Sequence, residues 1–240
     1  MNIEETVFTK LFLNEAIVLE KNEIADKVFH FKIKGDIHFT NYKPGQHLRL
    51  LLYPKQAGKL RDRVRTYSVW NYQQSEKEAV VDLAICTHSD GPGSRWAKES
   101  VIGTPIFISN PVGKFTLEES KKKIVFIGDV TTLAHYYCFR KHLKESQSIK
   151  GIIFGTDELG LFPDFDGSHP FTFLSLKQGN DLQLLNFCRD LNLDNESMIY
   201  VGGEGNACIK LHKLFLKDLG IPRKQLKVKP FWIQGKTGLE

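Results

Sequence analysis

The feature that most constrains the fold is a change of hydrophobic period partway along the chain. Before Phe115, apolar residues recur at every second position. In Lys27–Lys34, Phe29, Phe31 and Ile33 share one face of an extended segment, and His30 and Lys32 share the other. Gln46–Tyr53 groups Leu48, Leu50 and Leu52 in the same way, and Val64–Trp70, Val80–Cys86 and Pro105–Ser109 are further β-rich runs. Turn signals at Pro44-Gly45, Gly58, Gly103 and Gly113 separate them, and one short helix is expected from about Gly93 to Ser100. Such a segment folds as an antiparallel barrel or sandwich. After Phe115 the pattern changes. The charged stretch Glu118–Lys123 marks a boundary, giving expected domains 1–118 and 119–240. Short apolar runs at Ile124–Ile127, Gly151–Phe154, Phe171–Leu176, Met198–Val201 and Leu226–Trp232 then alternate with helical spacing over Thr131–Lys144, Leu182–Leu191 and Asn206–Leu219. That alternation predicts a mainly parallel, Rossmann-like sheet with helices on both faces. Ligands of such sheets bind beyond the carboxyl ends of the strands, which points to Gly128–Thr132, Thr156–Glu158 and Gly202–Gly205.

A length of 240 residues suits one large domain or two modest ones. Met1–Lys10 contains Glu4 and Glu5 and no long apolar run, and no stretch of about 18 apolar residues occurs anywhere. A cytoplasmic chain with no membrane span is expected. Cys86, Cys138, Cys188 and Cys208 are scattered and the histidines are dispersed, so no metal-ligand spacing is present. The formal charge of +5 is too mild and too spread to argue for nucleic acid, though it suits an anionic ligand. A monomer is expected.

Two constellations carry candidate chemistry. The first is Arg65-Thr66-Tyr67-Ser68 on a predicted strand. Arginine clamps phosphate with paired hydrogen bonds, a tyrosine on the same side of the strand covers a flat ring, and the adjacent hydroxyl can donate to a ring nitrogen. A β-strand with a salt-bridged arginine would read the same. The second runs from His88 through Ser89, Asp90, Gly91, Pro92, Gly93, Ser94, Arg95 and Trp96 to Ala97. Its glycines let backbone N–H groups approach a phosphate, and the helix start adds partial positive charge. An ordinary loop with a capped helix is the plainer alternative.

Taken in order, an R-x-Y-S strand, a glycine-rich turn into a short helix and an α/β half resemble the ferredoxin–NADP reductase superfamily. Within it, the chain resembles the siderophore-interacting proteins, the FAD-dependent ferric-siderophore reductases. The resemblance rests on His88–Ala97, on Gly128-Asp129-Val130-Thr131-Thr132-Leu133, on Gly202-Gly203-Glu204 and on Phe231-Trp232-Ile233-Gln234-Gly235. It implies a six-stranded flavin-binding β-barrel followed by an NAD(P)H-binding-like α/β domain. It implies FAD held by Arg65, Thr66, Tyr67 and Ser68, and by His88, Gly91, Pro92, Gly93, Ser94 and Trp96. Tyr67 and Ser68 would lie at the reacting part of the flavin. Thr131, Thr132, Gly203, Glu204 and Trp232 complete the expected cofactor contacts.

Some positions depart from the family pattern. Ser89 stands in place of a glycine, Gly93 in place of an alanine, and Val130 in place of a glutamate. The Gly128 turn has no G-x-G-x-x-G, so it offers a pyrophosphate few donors, and Asp129 or Thr131 there serves equally well as a helix cap. Thr156-Asp157-Glu158 suits a ribose hydroxyl, favouring NADH over NADPH, or is a solvated acidic loop. Ile233 replaces an arginine. Cations that could meet an anionic ferric chelate instead are Lys55, Lys59, Arg61, Arg63 and Lys236, although charge runs of this kind also occur as solvated faces. The expected reaction passes electrons from NADH or NADPH through FAD to a ferric siderophore, releasing ferrous iron. A flavin reductase or electron-transfer protein with another acceptor, and a non-enzymatic siderophore-binding protein, are the alternatives.

Overall fold

A computed structural model of the chain describes residues 14–53, 63–177 and 181–236. The chain divides into two compact units, Met1–Thr116 and Leu117–Leu239.

Among the described residues the first unit contains seven strands: β1 (Asn14–Ala25), β2 (Val28–Gly35), β3 (His47–Leu51), β4 (Val64–Ser68), β5 (Asn71–Gln74), β6 (Ala79–Cys86) and β7 (Pro105–Ile108). They form one antiparallel sheet in the order β4-β3-β7-β1-β2-β6-β5. The sheet curls, because residues from every strand converge on one core: Val18, Phe31, Leu48, Leu50, Val81, Leu83 and Ile106 are buried there, with Tyr67 and Tyr72 packed against them. The expected count of six strands is corrected to seven. The strands missed by pattern are β5, four residues of which none is buried, and β1, whose second half carries Glu20, Lys21 and Glu23 and has solvent on both faces. No side-chain alternation marks such a segment, and its register shifts twice against β2. Helix α1 (Pro92–Glu99) follows β6 and buries Gly93, Ser94, Trp96 and Ala97. The Trp96 ring stacks on Phe31 at 5.0 Å between centroids, fixing the helix to the core.

The second unit is a five-stranded sheet of β8 (Lys123–Gly128), β9 (Ser148–Gly155), β10 (Phe171–Ser175), β11 (Ser197–Glu204) and β12 (Leu226–Trp232), in the order β10-β9-β8-β11-β12. Every pairing is parallel. A short 3-10 turn (Val130–Thr132) leads into α2 (Leu133–Lys141), and α3 (Asp181–Arg189) and α4 (Gly205–Lys213) follow β10 and β11. Both faces are covered. Val125, Ile127, Ile152, Ile199 and Val201 pack with residues of α3 and α4. On the other face Phe126 and Tyr200 meet Phe139 of α2 edge-on, at 5.9 and 4.8 Å. Near-continuous apolar strands are what burial on two faces requires. No helix among the described residues is long and apolar enough to cross a membrane.

Candidate functional site

In the first unit the site begins with strand register. Arg65 lies opposite Leu50 and Tyr67 opposite Leu48, and both leucines are fully buried. Directly opposed residues share a face, so Arg65 and Tyr67 project to the inner side of the curled sheet. Thr66 and Ser68 project to the other side, opposite Arg49 and His47. β4 is the terminal strand in the sheet order, so its outer edge borders no further strand among the described residues.

The glycine turn meets this strand from the far side. A methyl group placed on Gly93 would lie 2.5 Å from the Tyr67 hydroxyl and 3.5 Å from Cγ of Arg65. The two constellations, distant in sequence, are therefore in contact, and glycine is what allows it. The backbone N–H groups of Gly93 and Ser94 start a helix whose N-cap, Gly91, makes no side-chain capping bond and whose first turn has no acidic residue. Pro92 occupies a first-turn position that tolerates its missing N–H. Ser94 is buried, and its hydroxyl lies 3.2 Å from that of Ser89, which also accepts from the Gly91 N–H at 3.4 Å. Trp96 faces the core, and His88 is exposed at the entry to the turn. An arginine, an aromatic ring and a helix start without a carboxylate form a set that suits a diphosphate attached to a flat ring.

The second unit treats its strand ends differently. Asp129, at the end of β8, is buried and accepts four hydrogen bonds. They come from Thr131 N (2.9 Å) and Thr131 Oγ1 (2.5 Å) on one oxygen, and from Glu204 N (2.8 Å) and the Trp232 indole (2.9 Å) on the other. Burial pushes its carboxyl above the usual carboxylate range, while the bonds from Thr131, Trp232 and Glu204 pull it down. One side chain thus ties together the ends of β8, β11 and β12. Gly203 makes room for it: its φ is +101°, and a side chain there would collide with the Asp129 carboxylate. Glu204 caps α4, accepting from Ala207 N at 2.9 Å. Thr132 is buried and donates to the Asp129 carbonyl at 2.7 Å. Thr131, Thr132, Gly203, Glu204 and Trp232 are accordingly brought together, and the bonds among them are internal. Asp157 closes its own turn, accepting from Thr156 Oγ1 (3.0 Å) and Leu159 N (3.1 Å).

Of the cations expected to meet substrate, Lys55, Lys59 and Arg61 lie outside the described residues. Arg63 is only 5% exposed and donates to the Tyr53 carbonyl at 3.4 Å, so it is an interior residue. Lys236 is exposed in the second unit. Among the described residues no cluster of metal-ligating side chains occurs. One neighbour of the site escaped sequence reading. His47, opposite Ser68, is buried although histidine carries no period of its own, and only the β3–β4 register could have found it.

Residues 51–115 match the siderophore-interacting FAD-binding domain family. No curated protein sequence matches the chain. Among solved structures, the siderophore-interacting protein SipS from Aeromonas hydrophila aligns with a TM-score of 0.74 and 18% identity, over 94% of this chain and 93% of that one. The siderophore-interacting protein from Acinetobacter baumannii aligns at 0.76 and 17% identity, over 93% and 91%. Phthalate dioxygenase reductase, described as a modular structure for electron transfer from pyridine nucleotides to [2Fe-2S], aligns at 0.71 and 14%, over 93% of this chain and 70% of that one. The chain is thus similar to the siderophore-interacting proteins, in fold along most of its length and in sequence over residues 51–115.

Proposed function

We propose that the chain is an FAD-dependent ferric-siderophore reductase that draws its electrons from NADH or NADPH. The observation that carries this reading is the meeting of Arg65 and Tyr67 with Gly93 at the uncapped start of α1, inside the segment that matches an FAD-binding domain. Arg65 would hold the FAD diphosphate together with the N–H groups of Gly93 and Ser94. Tyr67 would lie against the ring system, and Ser68 would place its hydroxyl at the ring nitrogen that receives hydride. Bound there, FAD links a two-electron donor to one-electron acceptors. The names of the structural neighbours supply the acceptor class. Hard oxygen donors hold ferric ion far more tightly than ferrous ion, so reduction becomes release. The first unit is then the FAD-binding domain and the second the nicotinamide-binding one. With Asp129 and Glu204 occupying the turns where a pyrophosphate would seek donors, nicotinamide affinity is expected to be modest.

The test is an anaerobic absorption spectrum of the FAD-loaded protein. NADH or NADPH should bleach the flavin band, and ferric citrate or a hydroxamate ferric siderophore should restore it. A flavin that free dyes reoxidise but ferric chelates leave reduced would move the assignment to a flavin reductase. A chain that takes up no FAD would overturn the reading.

A further inference from the structure

In the second unit, the helical layer of α3 and α4 turns aliphatic side chains and lysines outwards together. The outer face of a helix in a folded chain is ordinarily polar. On α4, Ile209 is 68% exposed, with Lys210 and Lys213 exposed beside it. The helix runs on as a π turn over Leu214–Asp218, which adds the exposed Lys217. On α3, Leu182 is 67% exposed. We infer that this face docks on an anionic lipid surface. Ile209 and Leu182 enter the headgroup region, and Lys213 and Lys217 meet the lipid phosphates. The inference does not depend on the FAD reading.

The orientation follows from the helical period. Ala207, Cys208, Leu211, Leu214 and Phe215 are buried in the core beneath α4. At about 100° per residue, Ile209 and Lys213 then point away from that core, and four residues apart they lie side by side. α3 buries Leu184 and Cys188, which turns Leu182 outwards too. An ion pair between Lys210 and Asp181 ties the start of α3 to the middle of α4. Leu182 and Ile209, each next in sequence to one of the paired residues, therefore belong to one face. The carboxylates of Asp181 and Asp218 are engaged, the first by Lys210 and the second by Arg189 at 3.8 Å. Asp190 is exposed just past the end of α3. Lys213 and Lys217 have no carboxylate partner among the described residues, so positive charge is left beside the exposed isoleucine.

Composition separates lipid from other polyanions. Protein–protein interfaces are enriched in aromatic residues, Met and Arg and depleted in Lys. A nucleic-acid backbone is met by charged and polar groups, to which an exposed aliphatic side chain adds little. Aliphatic groups set among lysines suit a membrane surface. The apolar side chain leaves water for the acyl boundary, while the lysine stem lies along it and lifts the ammonium group to the phosphates. A face with this few anchors attaches reversibly.

Co-sedimentation of the full chain with lipid vesicles tests the docking. The chain should bind vesicles of phosphatidylglycerol mixed with phosphatidylcholine, bind phosphatidylcholine alone about tenfold more weakly, and come off as added salt screens the charges. Lys213→Gln and Lys217→Gln should each weaken binding about fivefold. Ile209→Ser should weaken it about tenfold, the effect of withdrawing one aliphatic side chain from the acyl boundary. Lys77→Gln removes the same charge from the exposed β5–β6 turn of the first unit and should leave binding unchanged. An equal loss at Lys77 would mean that overall charge, and not this face, makes the contact, and the inference falls. It falls as well if Ile209→Ser binds like wild type, or if phosphatidylglycerol vesicles are ignored. A chain that ignores the vesicles but binds duplex DNA would reassign the face to nucleic acid. FAD uptake should be the same in every variant, so none of these outcomes bears on the FAD reading.

Discussion

At the start of α1, Gly91 holds the N-cap with no side chain bonded to the first turn, and the side chain of Arg65 lies beside Gly93. At the start of α4, the Glu204 carboxylate accepts from Ala207 N, and at Val130–Thr132 the Asp129 carboxylate accepts from Thr131 N. Both units exploit the same property, the unpaired N–H groups and partial positive charge where a helix begins. The first unit leaves it available to an anion from outside. The second satisfies it with its own carboxylates and gains rigidity at the strand ends. The comparison teaches that a glycine turn at a strand end is not by itself a phosphate cradle. What matters is whether the protein has already supplied the anion.

The comparison breaks most readily at Asp129. Either orientation of an amide would replace an oxygen that serves two donors by an NH₂ group. Asp129→Asn should therefore cost about 3 kcal/mol in urea unfolding. A loss below about 1 kcal/mol would mean the network contributes little. Next in size, Arg65→Gln should weaken FAD binding about 100-fold, as expected for losing a charge-assisted clamp on a phosphate. Calorimetric titration measures it, and unaltered affinity would remove Arg65 from the site. Gly93→Ala forces Tyr67 aside, because the added methyl meets its hydroxyl at 2.5 Å. FAD affinity should drop about tenfold, the size of a 1.4 kcal/mol strain, with α1 otherwise intact by circular dichroism. The smallest change sharpens the contrast. Glu204→Gln retains an oxygen to cap α4 but removes the charge, and should tighten NADH binding by a factor of about 2–5. Weaker binding would assign Glu204 to the nucleotide directly.

Much of this was legible in the sequence. Short apolar runs announced the parallel sheet because burial on both faces leaves little room for polar residues. Arg65–Ser68 and His88–Ala97 stood out because their residue types are unusual together. Some features were hidden, each for a physical reason. β1 has solvent on both sides of its second half, so it shows no alternation. The pairing of His47 with Ser68 depends on the register between two strands, which no local pattern encodes. The role of Asp129 depends on donors from Glu204 and Trp232, both remote in sequence. Its capping of Thr131, a local contact, was visible as one of two readings.

The place of β7 in the sheet has a kinetic consequence. It is the last strand of its unit to be synthesised, yet it lies between β3 and β1, pairing Leu50 with Ile108 on one side and Asn14 with Ile108 on the other. Until it docks, β4-β3 and β1-β2-β6-β5 are two ribbons with open edges, joined covalently but not by a common ladder. Arg65 and Tyr67 ride on one ribbon, and α1 follows the other. On the FAD reading proposed above, capture of the cofactor would await a docking step of long sequence separation. A nascent chain stalled before Pro105 would expose bare strand edges and no cofactor site, and is the species most prone to aggregate.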